Sequence, residues 1–321
     1  MLSASIGCRT KASSWVDPSK HTVHMVTVDQ NVKLEVLDWG GTGRPIVLLA
    51  GSGLTAHVYD GFAEKLAGPY HVYGITRRGF GASSHAVTGY TAQRLADDVL
   101  QVLDSLRLAK PVLIGHSLAG EEITLLASEH PDRVAGLVYL EATRDPSRDY
   151  GPLRERASTA GVTGPSPSTD NMRSFAAYRA WQTSTFGFAF PESELRSTYA
   201  SNPDGSMGAY GTSSGVFAAI QAGTKKPDYT KVRMPILAIV AIPATAEQEV
   251  ARHYQFKNER ERAAVEDNHR QILQYIRDDE NSIQAVPGAR VVEIRGADHY
   301  VFLSNENEVL RQIKVFLAQL P

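Results

Sequence analysis

Val112-Leu113-Ile114-Gly115-His116-Ser117-Leu118-Ala119-Gly120 constrains the fold of this chain more than any other stretch. An apolar, β-branched run leads through a glycine to a serine. An apolar helical segment follows, carrying Ile123, Leu125, Leu126 and Ala127 and broken near His130-Pro131. Such a run fits a central parallel strand covered on both faces. Small residues two positions before and after the serine, Gly115 and Ala119, permit a sharp strand-to-helix turn. That turn holds a hydroxyl in a strained, exposed position over a helix N-terminus. A second match to the spacing, Gly211-Thr212-Ser213-Ser214-Gly215, has no apolar strand before it and reads as a flexible loop.

Strands and helices alternate around this turn. Residues 21–39 hold two alternating segments separated by Asp29-Gln30-Asn31, the pattern of an antiparallel edge hairpin. Strand-like runs follow at Ile46–Ala50, His71–Thr76, Val112–Ile114, Val134–Leu140, Ile236–Val240 and Arg290–Ile294. Helical runs include Thr91–Leu106, Leu118–Glu129 and Glu306–Leu317. The alternation implies an α/β chain with a mostly parallel sheet and right-handed crossovers. It is interrupted between Thr143 and Lys231, where no clear strand occurs and aromatics cluster. A structureless loop of that length is improbable inside a compact domain. Residues 144–230 therefore read as a helical cap inserted into a core of 21–143 and 231–321, with 1–20 as an N-terminal tail. The cap is expected over the carboxyl ends of the strands, where open α/β sheets bind ligands.

Composition excludes several function classes. The net charge of −2 leaves no basic footprint for nucleic acid or anionic membrane. No apolar run reaches the roughly 18 residues needed to span a bilayer. Cys8 is the only cysteine, so no internal disulfide and no multi-cysteine zinc site can form. Met1–Gly7 lacks the basic and apolar regions of an export signal and reads as tail. The expectation is a soluble chain, cytoplasmic or exported with a signal removed, its oligomeric state open. Neither a phosphate-cradling loop nor a dinucleotide fingerprint nor a metal cluster is visible, so no cofactor and no metal are expected.

Four motifs now resemble the α/β-hydrolase superfamily, over essentially everything after residue 20. Besides the serine turn, Ile46-Val47-Leu48-Leu49-Ala50-Gly51-Ser52-Gly53 is similar to the strand and oxyanion loop, with Ala50-Gly51 where His-Gly is usual. Thr76-Arg77-Arg78-Gly79-Phe80-Gly81-Ala82-Ser83 is similar to the D-x-R-G-[FY]-G-x-S loop, with Thr76 in place of the aspartate. Gly296-Ala297-Asp298-His299 looks like the G-x-x-H that presents the catalytic histidine. The resemblance implies an eight-stranded, mostly parallel sheet flanked by helices, with an inserted helical cap.

A serine hydroxyl needs a base to become nucleophilic, and neutral imidazole suits that task. Of the ten histidines, His299 follows a strand across a short loop and so emerges at the same sheet end as Ser117. His116 neighbours the serine, but its side chain must point away. His57, just after the oxyanion loop, is a substrate-pocket candidate. His71 begins a strand towards the opposite edge, and His21, His24, His85, His130, His253 and His269 read as solvated. The acid usually follows the strand Ile236–Val240, yet Ala241-Ile242-Pro243-Ala244 offers no carboxylate before Glu247. Certain haloalkane dehalogenases take it from the end of the preceding strand, and Val138-Tyr139-Leu140-Glu141-Ala142 is similar to that arrangement. Glu141 is accordingly expected to orient His299, with Glu247 second. Asp298 abuts the histidine and Asp145 lies too far into the cap. Oxyanion donors are expected at the amides of Leu118 and Ser52, with Gly53 as the alternative.

Ser117 implies acyl transfer through an ester intermediate, not the aspartate chemistry of dehalogenases and epoxide hydrolases. The expectation is a carboxylic-ester hydrolase for small or medium acyl esters beneath an aromatic cap. Trp181 and Phe186 are its pocket candidates, Trp181 foremost because tryptophan offers the largest apolar area. A cofactor-free perhydrolase, thioesterase, amidase or lyase would use the same residues. A ligand receptor or scaffold with little turnover is the alternative of another class.

Overall fold

The computed structural model describes residues 15–321; Cys8 and Met1–Gly7 lie outside them. Its ten strands are β1 (Thr22–Asp29), β2 (Val32–Gly40), β3 (Pro45–Leu49), β4 (His71–Ile75), β5 (Val112–His116), β6 (Gly136–Leu140), β7 (Tyr199–Ser201), β8 (Met207–Tyr210), β9 (Ile236–Ile242) and β10 (Arg290–Arg295). Eight form one sheet in the order β1-β2-β4-β3-β5-β6-β9-β10. The β1–β2 and β2–β4 pairs are antiparallel, and every pair from β4 to β10 is parallel. Asn31 closes the β1–β2 hairpin at φ +61°, a left-handed conformation that asparagine tolerates.

Both faces of the central strands are buried, which is why they read as continuous apolar runs rather than alternating ones. On β5, Leu113 joins the core formed with Val99 and Val102 of helix Ala92–Ser105 and Ile123 of helix Ala119–Glu129. Val112 and Ile114 face the opposite core, against Phe62, Phe302, Ile313 and Phe316. Helix Ala92–Ser105 starts where the Thr91 side chain accepts the Arg94 amide, and Leu95, Val99 and Val102 make its buried stripe. Truncating Leu113, which is wholly buried, to alanine should cost about 2–5 kcal/mol.

Three elements differ from the sequence reading. The insertion between β6 and β9 holds helices Gly151–Ala160, Phe175–Phe186, Glu192–Thr198 and Ser214–Gly223, but also the hairpin β7–β8, too short to show an alternating pattern. The stretch Gly211–Gly215 is tied down rather than flexible. Thr212 is buried and donates its hydroxyl to the Gly79 carbonyl, just before the helix Ser214–Gly223 begins. The reading also overlooked the 26-residue helix Glu259–Gln284 between β9 and β10. Its buried face mixes Val265, Ile276 and Ile283 with Asn268, Asp279 and Glu280, so its apolar period is faint. Asp279 pairs with Arg148, and Asn268 accepts from Arg156, which joins this helix to the insertion through polar contacts. Among the described residues no helix is long and apolar enough to cross a membrane.

Candidate active site

β5 ends at His116, and Ser117 follows with φ +54°, an uncommon conformation for a residue with a side chain. Its amide donates to Leu140 O at 3.2 Å, locking the turn to the neighbouring strand β6. The close approach constrains two glycines. A methyl group at Gly115 would sit 3.0 Å from the Ala119 carbonyl oxygen, and one at Gly120 only 2.0 Å from that of Ala142. The second contact lets the helix start press against the loop that carries Glu141.

Because His116 pairs with Leu140 in register, the next residues, Ser117 and Glu141, leave the sheet side by side. Glu141 also has a positive φ, +50°, and its side chain is 2% exposed as a residue. Its Oε2 lies 3.2 Å from His299 Nδ1 and accepts from Arg144 Nη2 at 3.1 Å, while Oε1 accepts from the Ala241 amide at 2.6 Å. Burial alone would raise this carboxyl. The Arg144 guanidinium, His299 and the Ala241 amide outweigh it and hold Glu141 below the usual carboxylate range. The aliphatic loop after β9 thus supplies a backbone donor to the carboxylate. Glu247 makes no contact with His299, Asp298 accepts from the Tyr300 amide, and Asp145 from Ser147.

His299 is carried by a loop fixed where Gly296 N donates to Ile242 O at 2.8 Å. Beneath it, His116 Nε2 donates to the His299 carbonyl at 3.0 Å. Burial and the nearby His299 hold His116 well below the ordinary imidazole range, so it is a neutral support. Ser117 and His299 line one cavity, with no direct hydrogen bond between them. Candidate catalytic contacts are often loose before substrate arrives.

The loop 50–56 is held at both ends. Arg77, buried and paired with Glu122 at 2.6 Å, donates to the carbonyls of Ala50 (2.9 Å) and Gly51 (3.3 Å). This anchoring explains how alanine serves at position 50. Thr76, where an aspartate is usual, accepts the Ala56 amide at 3.0 Å and donates to Glu35 at 2.7 Å. The insertion grips the same loop: Tyr210 donates to the Gly53 carbonyl, and Glu194 accepts from the Thr55 amide and hydroxyl. The amides of Ser52, Gly53 and Leu118 have no partner among the described residues. A side chain at Gly51 would strike His116 Nδ1 at 2.7 Å, so glycine is required there.

Two cavities meet at Ser52 and Phe217. The larger, about 750 Å³, holds Ser117, His299 and Glu141 and is charged, with Arg144, Arg148, Arg154, Asp145 and Asp149. The smaller, about 370 Å³, is aromatic, lined by Tyr178, Phe190, Tyr199, Tyr210 and Tyr300. Three sequence expectations fail here. Trp181 and Phe186 line neither cavity; they meet edge to face at 5.5 Å, Trp181 also meeting Tyr178 at 5.3 Å. His57 is turned away from the site and faces Asp60 and Glu35, which overcome burial and raise it to about 10. His21, expected in solvent, hydrogen-bonds Asp60 at 2.8 Å. The cavity aromatics that replace Trp181 and Phe186 come from a helix (Tyr178), a loop (Phe190), the β7–β8 hairpin (Tyr199, Tyr210) and the segment after His299 (Tyr300), so no single period marks them.

The alpha/beta hydrolase family pattern matches residues 46–312. Epoxide hydrolase A of Mycobacterium tuberculosis is 32% identical over 139 residues, 42% of this chain and 43% of its own length. The 2-(acetamidomethylene)succinate hydrolase of Mesorhizobium japonicum is 27% identical over 103 residues, 32% of this chain and 37% of its own length. The chain thus spans about half the length, or less, of the curated relatives it matches. A crystal structure of E-2-(acetamidomethylene)succinate hydrolase superposes with a TM-score of 0.68 at 19% identity, over 93% of this chain and 99% of that one. With a family match across most of its length and eight strands in the order described, the chain belongs to the alpha/beta hydrolase family.

Proposed function

We propose that the protein is a serine hydrolase that cleaves small or medium carboxylic esters through an acyl-enzyme on Ser117. The observation that carries this reading is the 3.2 Å contact of His299 Nδ1 with a buried, ionised Glu141, at the wall of the cavity that Ser117 enters. In this reading His299 Nε2 takes the Ser117 proton as Oγ attacks the acyl carbon. The imidazolium then faces Glu141 through Nδ1–H, which stabilises it. Negative charge developing on the acyl oxygen is received by the amides of Leu118 and Ser52. The alcohol leaves with the proton from Nε2, and water repeats the sequence to release the acid. Residues 144–230 act as the cap, with the aromatic cavity taking one side of the ester.

Cleavage of a C–N acyl bond is the second reading, supported by the sequence likeness to the 2-(acetamidomethylene)succinate hydrolase of Mesorhizobium japonicum and by the arginines in the larger cavity. A p-nitrophenyl ester series run beside N-acyl substrates separates the two. An organophosphonate should add to the wild-type protein at Ser117, and Ser117→Ala should lose both the adduct and roughly 10⁶-fold in kcat. Ester turnover without an adduct, or turnover that survives Ser117→Ala, would overturn the assignment.

A further inference from the structure

On other loops, away from the residues just described, a second group of ionisable side chains takes no part in that reaction. Asp17 and His21 come from the segment before β1, and His57 and Asp60 from the turn after β3. Each offers one ligand atom, and the four atoms lie within 4.8 Å of one another. His57 Nδ1 stands 3.4 Å from Asp60 Oδ2 and 3.7 Å from Asp17 Oδ2. His57 is 7% exposed, and this nitrogen is buried with no hydrogen-bond partner among the described residues. A buried imidazole nitrogen left without a partner is costly unless something occupies the space it faces.

We propose that Asp17, His21, His57 and Asp60 form a structural zinc site. Zinc bonds nitrogen and carboxylate oxygen at about 2.0–2.2 Å, so a tetrahedral site separates its ligands by about 3.4 Å. The His57–Asp60 and His57–Asp17 separations match that edge and exceed a hydrogen bond. The donor set of two imidazoles and two carboxylates suits zinc, and four protein ligands leave no open position. The surroundings orient the ligands as outer partners do in metal sites. Glu35 Oε1 lies 3.5 Å from His57 Nε2, which turns Nδ1 towards the aspartates. Trp39 Nε1 donates to Asp60 Oδ1 at 3.1 Å, and Ser193 of the insertion donates to Oδ2. A divalent ion balances the two aspartates, with Glu35 alongside. A surface cleft of about 440 Å³, lined by Trp15, Pro18 and Asp60, gives the ion a way in. Zinc here staples the entering segment to the first turn after β3 and, through Ser193, to the insertion.

The test uses the full chain, stripped with a chelator and titrated with zinc chloride, followed by calorimetry and thermal melting. The expected result is one zinc per chain and, at 100-fold excess over Kd, a rise of about 4 °C in Tm. X-ray absorption should show two imidazoles and two oxygen ligands near 2.0 Å. Loss of an outer partner costs metal sites 10–100-fold, so Asp17→Asn and His21→Ala should each weaken binding by at least about 100-fold. Both positions lie in the entering segment, outside the core, so the fold survives the change. His299→Ala should leave zinc binding intact, which separates this site from the cavity. No saturable zinc tighter than about 100 μM, binding unchanged in Asp17→Asn and His21→Ala, or a single imidazole in the absorption spectrum would each overturn the proposal. These readouts need no substrate, so they stand apart from the fate of the proposed reaction.

Discussion

The chain builds two histidine–carboxylate groups, around His299 and around His57, and treats them in opposite ways. The His299 ring is 36% exposed at the edge of a large cavity, while the His57 ring is 9% exposed among polar neighbours. Ser117 and Glu141, which flank the first, both have positive φ, whereas Asp17, His21, Glu35, His57 and Asp60 do not. Left-handed backbone in a residue with a side chain costs about 1–3 kcal/mol and persists where the surrounding structure over-determines it. Here the sheet does so, because β5, β6 and β9 each end in a hydrogen bond to this corner. Strain with open access belongs to a group that must reach a substrate, and a closed, relaxed shell to one that holds chain segments together. One acid–base pairing thus serves two purposes, and access and backbone separate them better than residue type does.

The sharpest way to break this contrast is to change one carboxylate in each group and read activity and stability separately. Glu141→Gln keeps the shape, but its amide nitrogen then faces Nδ1 and favours the wrong imidazole tautomer. The expected outcome is a fall of about 10⁴-fold in kcat with KM little changed. Glu247→Gln, whose side chain makes no hydrogen bond or ion pair with the ring, should stay within about twofold. His57→Ala should do the reverse, lowering Tm while kcat of the folded fraction holds. Steady-state kinetics and melting of the three variants check it. Reversal of the two glutamates would place the acid after β9.

How much of this was legible in the sequence follows the same division. The serine turn and Glu141 stood out because each interrupts an apolar strand with a polar residue at a strand end, and strand ends lie at one edge of a parallel sheet. The amide of Ala241 could not be foreseen, since a backbone donor leaves no mark in an aliphatic loop. His21 misled because a histidine in a polar stretch looks solvated, and His57 because it follows the Ser52 loop so closely in sequence; only the fold brings residues 17–21 onto 57–60. Trp181 misled through size. On helix Phe175–Phe186 the aromatics Phe175, Tyr178, Trp181 and Phe186 share one broad side, so period could not say which of them met the cavity.

Between the two groups stands Glu194, wholly buried, which binds Thr55 just before His57 and just after Ser52 and Gly53. Burial pushes its carboxyl up to about 7, against the pull of Thr55. The folded chain then holds the proton to about pH 7, while the unfolded chain releases it near the ordinary carboxylate value. Unfolding therefore becomes easier as pH rises from about 4.5 to 7, by up to about 3 kcal/mol from this group. Chemical denaturation at several pH values should show that loss. Glu194→Gln should remove most of the slope over this window, leaving that of Glu121, which burial also raises to about 7. An unchanged slope would mean that the insertion's grip on the loop is independent of this proton.

The smallest expected effect concerns which aromatics touch substrate. Phe217 borders both cavities and packs edge-on against Phe80 at 5.6 Å, whereas Trp181 borders neither. Removing Phe217 opens the junction between the charged and aromatic spaces, so longer acyl chains gain room beside Ser52. Phe217→Ala should raise kcat/KM for longer esters over acetyl by about tenfold, the scale on which a pocket senses a methylene or two. Trp181→Ala loses its ring contacts with Tyr178 and Phe186, so Tm should fall by a few degrees while the ester ratio stays within twofold. Ratios measured across one ester series cancel any change in active fraction, so the comparison survives a loss of stability in either variant. A shifted ratio in Trp181→Ala alone would move the acyl site out of the aromatic cavity and onto the outer face of helix Phe175–Phe186.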